Sequence, residues 1–142
     1  MIGIGFIWFS AWSIFGSLIG SRINLIMASA DQLWLQSWER TLLRTTHAHM
    51  NSMAIIIVLM GLSAKSAARF MPQKTLYTTC FSAALSVPIF GTGLVFEAFN
   101  APQLGIISSF TAITALGGSL FLFAVGTWGA LFLFHSRTAT QL

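Results

Sequence analysis

Charged and apolar positions separate cleanly along the chain. Four stretches without a charged residue are each long enough to cross a hydrocarbon core of ~30 Å, which takes about 20 helical residues. Ile2 to Ser21 is closed by Arg22, Thr45 to Ala64 lies between Arg44 and Lys65, and Thr75 to Phe96 lies between Lys74 and Glu97. The last lies within Leu104 to Phe134, ahead of Arg137. The pattern predicts an all-α integral membrane four-helix bundle, one domain over residues 1–142, with spans at about 2–21, 45–64, 75–96 and 106–134. Four short helices enclose little interior, so oligomerisation is expected from size.

The long connection between the first two spans has a pattern of its own. Asp31 can cap a helix on which Trp34, Trp38 and Leu42 recur every four residues, with Leu35 beside them and Glu39 and Arg40 on the other side. Residues 31–43 therefore read as an interfacial helix with its indoles at headgroup depth, or else as a loop rich in tryptophan. Gly16 and Gly20 form a GxxxG pair in the first span, and Gly126 and Ala130 a small-xxx-small pair in the fourth. With Gly91, Gly93, Gly117 and Gly118 they mark places where helices can approach closely. Pro88 is expected to kink the third helix and release a carbonyl near Leu85.

Composition narrows the class. Charged residues make up 7% of the chain and hydrophobic ones 56%, with a mean hydropathy of +0.81. Seven basic and three acidic side chains cannot cover a water-soluble protein of 142 residues, so the solvent is mostly lipid. The formal charge of +4 sits at segment ends, where it suits phospholipid headgroups, and no basic stripe interleaved with aromatics points to nucleic acid. Cys80 is the lone cysteine and lies in an apolar run, which excludes an intramolecular disulfide and a CxxCH haem attachment. No basic segment precedes the first apolar stretch, so it reads as a spanning helix rather than a cleaved signal. Lys65, Arg69, Lys74 and Arg137 fall on the side of both termini, against Arg22, Arg40 and Arg44 opposite; the bias places the termini in the cytoplasm.

Polar residues inside a membrane are costly, so their positions are informative. His47, His49 and Asn51 open the second span, and antiparallel threading brings that end level with Arg22 and Asn24 of the first and Glu97 and Asn100 of the third. The cytoplasmic halves offer mainly serines and threonines, which can bond to their own helix backbone. Residues two apart on a helix differ by about 200°, so His47 and His49 address different faces and do not chelate one ion. His47 shares its face with Asn51, Ala54, Val58 and Gly61, and His49 with Ser52, Met53, Ile56 and Met60. The second face suits something flat and apolar. A haem needs an imidazole, apolar walls and cations for its propionates, and Arg22, Arg40 and Arg44 are candidates for the last. The plainer alternative is that both histidines bond lipid phosphate or backbone carbonyls. Glu97 either ends the third helix as a hydrated carboxylate or is buried against Arg22, Arg44 or a histidine. His135 reads as a helix-end residue.

The motifs Arg44–Thr–Thr–His47–Ala–His49–Met–Asn51–Ser–Met53, Gly93–Leu–Val–Phe–Glu97–Ala–Phe–Asn100–Ala–Pro102 and Ile107–Ser–Ser–Phe110 follow one another in a pattern that resembles the styrene oxide isomerases, small four-helix bacterial membrane enzymes. The resemblance implies haem b held between the subunits of a trimer in the bacterial inner membrane. His47 or His49 would be the iron ligand, Arg22 and Arg44 would be cofactor-binding residues, and Asn51 and Glu97 catalytic ones. It also implies Lewis-acid conversion of a small apolar epoxide to an aldehyde. Matching Asn51 to that family's asparagine puts Thr45 at the family's ligand position, with His49 one turn deeper on the same face and His47 off it. The family's asparagine and tyrosine on the third helix have no match here, Gly91 and Gly93 lying near those places. His–x–His on a membrane helix is also similar to the haem-copper oxidase helix that serves haems on both faces, which implies a cytochrome b electron carrier or a subunit of a respiratory assembly. A cofactor-free accessory membrane subunit is the third reading.

Overall fold

The computed structural model describes residues 1–29, 32–100 and 108–139. It contains α1 (Ile2–Ser29), the single turn α2 (Gln32–Leu35), α3 (Trp38–Ala67), α4 (Gln73–Phe99) and α5 (Ser109–Ala139). The four long helices are each apolar and long enough to cross a membrane. α1, α3 and α4 outrun the uncharged stretches that predict them, and α5 runs on past Phe134, because a charged residue ends the hydrophobic run without ending the helix.

Of the segment expected as one interfacial helix, residues 32–43 are not a single continuous helix. Ser37 divides them: its hydroxyl donates to the Trp34 carbonyl (2.7 Å), closing α2, and accepts from the Arg40 amide (3.2 Å), capping α3. Trp38 and Leu42 therefore belong to the first turns of α3, while Trp34 stands before the break. The cap expected of Asp31 lies outside the described residues, as do Pro102, Ile107 and the start expected for the fourth span. The α3–α4 turn ends at Pro72, which occupies the N-cap position of α4.

Packing runs α1 on α3, α3 on α4 and α4 on α5, with no contact between α1 and α5 among the described residues. The bundle is thus open, with α3 and α4 central. Their most apolar windows are 33% and 39% buried, against 11% for α1 and 17% for α5. On α3, Leu43, Thr46, Met50, Met53, Ile57, Met60 and Ala67 are buried at steps of three, four or seven residues, the spacing of one continuous helix stripe. Apart from Val87, the buried residues of α4 are small: Thr79, Ser82, Ala83, Ser86, Gly91, Gly93 and Ala98. These let its neighbours approach where no hydrophobic effect drives them together. Two of their hydroxyls bond within the helix, Thr79 on the Thr75 carbonyl (2.9 Å) and Ser86 on that of Ala83 (2.7 Å). α4 continues as helix through Pro88.

Candidate functional site

The two histidines go to different places, as their spacing requires. The α1–α3 seam is antiparallel: Gly5 lies against Ala54 and Val58, Gly16 against His47, and Gly61 against Ile2. A Cβ on Gly16 would overlap the His47 ring, so glycine there is what lets the imidazole pack against α1. His47 Nδ1 donates to the Trp12 carbonyl (2.8 Å). The Asn51 amide stands 3.5 Å from the same nitrogen, whose one proton is already given to Trp12, so the two side chains are in polar contact without a hydrogen bond. His47 is half-buried, and the face it shares with Asn51, Ala54, Val58 and Gly61 is the α1 interface.

His49 is exposed on the opposite side. Its Nδ1 donates to the Thr45 carbonyl one turn back (3.0 Å), which leaves Nε2 as the ligating nitrogen of the neutral ring. Phe90 of α4 stacks on it, centroids 6.0 Å apart and planes 21° from parallel. His49 lines an open groove of about 360 Å³ together with Arg40, Thr41, Arg44, Thr45 and Ala48. Every lining residue comes from α3, so the groove has a floor and one wall. A second, apolar groove of about 420 Å³ lies between α3 and α5, where Trp128 Nε1 donates to Ser63 Oγ (3.2 Å).

The other residues singled out in the sequence do not join His49. Arg22 pairs with Glu39 (3.1 Å) and sits 4.6 Å over the Trp34 ring, on the α1–α2 side. Glu97 accepts from Ser108 Oγ and from Thr111 Oγ1 (3.3 Å) at the start of α5. Ser108 in turn accepts from the amides of Phe110 (3.2 Å) and Thr111 (3.1 Å), capping that helix. His135 stacks on Phe70 at the far end of the molecule, centroids 4.4 Å apart. Of the residues gathered at one depth by the sequence, the structure brings only Arg44 to His49 and only Asn51 to His47. Among the described residues no group of three His, Cys, Asp or Glu side chains is placed to hold a metal ion, so a metal at His49 must bring most of its own ligands.

Sequence reasoning missed the Trp12 carbonyl, the Phe90 stack and the Ser108 cap. Only the last had a signal, a hydroxyl at Ser108 with a second at Thr111 three residues on, in the N-cap pattern. No protein-family model, curated protein or solved structure matches the chain.

Proposed function

We propose that the chain is a membrane haem b protein with His49 as the iron ligand, acting as an isomerase on a small apolar epoxide that enters from the bilayer. The observation that carries this reading is the contrast between the histidines. His47 is held in a helix seam, whereas His49 lines a groove with Nδ1 bonded to backbone and its ring stacked on Phe90. A metal-binding histidine commonly has its second nitrogen fixed in this way, which sets the tautomer and the ring orientation.

The residues present fit a haem. His49 would hold the iron, Phe90 would support the imidazole, and Arg44 with Arg40 would meet the carboxylates at headgroup depth. The chemistry such a group supplies is Lewis-acid polarisation of an oxygen, which opens an epoxide without net redox change. The chain's own part is to fix the ligand, to neutralise the carboxylates and to present an apolar route from lipid. Asn51 and Glu97 take structural parts in this reading, one in the α1–α3 seam and one in the α5 cap. The single wall of the groove favours a second wall from another copy, in keeping with a homo-oligomer of three chains in the bacterial inner membrane.

Absorption spectra of protein purified in mild detergent, after expression with added haem, test the proposal. A Soret band retained in His47→Ala and lost in His49→Ala is the expected result, with a high-spin ferric form that shifts on adding an epoxide. A low-spin form indifferent to ligands would instead mark an electron carrier with both iron faces occupied. A colourless protein would leave the cofactor-free accessory subunit.

A further inference from the structure

The α1–α3 seam contains polar atoms that the fold leaves without partners. Trp8 Nε1 and Trp12 Nε1 are hydrogen-bond donors, Asn51 Oδ1 is an acceptor, and all three are buried with no partner among the described residues. The register of the seam puts them at neighbouring levels along it. Gly16 meets His47, Gly5 meets Ala54 and Val58, and Arg22 meets Glu39, so residue numbers facing each other across the seam sum to about 61. Asn51 therefore stands between the levels of Trp8 and Trp12, which are one turn apart on the same side of α1. It also touches His47, whose Nδ1 is bonded to the Trp12 carbonyl. Trp12 reaches past α3 to Gly91 of α4, where the missing side chain makes room for the indole beside Met50.

Lipid offers these atoms nothing, since hydrocarbon neither donates nor accepts, and a buried polar group is normally paired with protein or with ordered water. Two donors and one acceptor have no mutual solution that the side chains have taken. Water accepts two hydrogen bonds and donates two, which matches the set.

We infer that the seam holds ordered water, bridging Asn51 Oδ1 to the indole N–H groups of Trp8 and Trp12 inside the membrane-spanning part of the molecule. The site is separate from the His49 groove and does not depend on haem. It gives the His47–Asn51 pair a hydrated neighbour at a depth where the bilayer has none.

Indole NMR of protein labelled with ¹⁵N-tryptophan, in lipid nanodiscs, reads the site directly once the five indole signals are assigned by single Trp→Phe variants. Trp8 and Trp12 should show cross-relaxation to water with the sign of long-lived binding rather than of proton exchange. Trp128, whose N–H is committed to Ser63, should show none, and Trp38, which is 53% exposed, serves as the hydrated control. Asn51→Leu keeps the volume and removes the acceptor, and should abolish both cross-peaks. Absence of water transfer at Trp8 and Trp12 in the wild-type protein would overturn the inference, whether or not the variant folds. Persistence of both signals in a folded Asn51→Leu protein would overturn the bridging role of Asn51.

Discussion

At the residue scale, glycines that look alike in the sequence do unlike work. Gly16 and Gly20 form one GxxxG motif, yet a Cβ at Gly16 would run into the His47 ring, while one at Gly20 meets nothing within 4 Å. Gly126 likewise faces open space, so the small-xxx-small pair of α5 meets no partner at Gly126 among the described residues. Gly16→Ala should force the imidazole off the Trp12 carbonyl and cost about 1–3 kcal/mol, the usual range for overpacking. Gly20→Ala should change stability by no more than about 0.5 kcal/mol, as substitutions away from contacts do. Denaturant unfolding of the two variants in the same detergent compares them. Equal effects would mean that the His47 contact does not set the α1–α3 spacing.

At the element scale, the start of α5 depends on the end of α4. In a capping box the acid at the third helical position reaches back to the cap; here Glu97 reaches across from the preceding helix to the capping Ser108 and to Thr111. The carboxylate also lies at the positive end of the α5 dipole. Ser108→Ala and Glu97→Ala should each cost about 1 kcal/mol, in the range of lost helix caps. Because both act through one network, the double variant should cost clearly less than the sum. Hydrogen exchange at Phe110, Thr111 and Ala112, combined with the unfolding free energies, measures this. Additive losses would show that the cap and the carboxylate act separately. Ser37 plays the corresponding part for α3, and a cap is what turns an expected interfacial segment into the first turns of a spanning helix.

For the whole molecule, orientation rests on a narrow charge difference. Lys65, Arg69, Lys74 and Arg137 oppose Arg22, Arg40 and Arg44, and Arg22 is paired with Glu39. Carboxylates weigh little in this rule, so the comparison is of four positive charges with three. A C-terminal fluorescent-protein fusion should fluoresce and a C-terminal alkaline phosphatase fusion should be inactive. Replacing Lys65, Arg69 and Lys74 by Gln leaves one positive charge against three and should yield phosphatase activity from inverted molecules. Unchanged reporter signals would mean that something other than loop charge orients the chain.

Four spans, their antiparallel order and the opposite directions of His47 and His49 were legible in the sequence. Hydropathy and helical pitch are properties of one chain segment, and need no neighbour to be read. Which face of each helix is buried was not legible, because in lipid the exposed faces of α1 and α5 are as apolar as the buried stripe of α3, so no contrast marks the inside. Helix registry decides that, and registry comes from packing: Gly16 under His47, Trp12 in the space left by Gly91, Phe90 against Gly117. The same packing sends Arg22 to Glu39 and Glu97 to Ser108, and leaves His49 alone at a groove with Arg40 and Arg44. Position along each helix was written in the sequence; direction around each helix axis was decided only when the helices met.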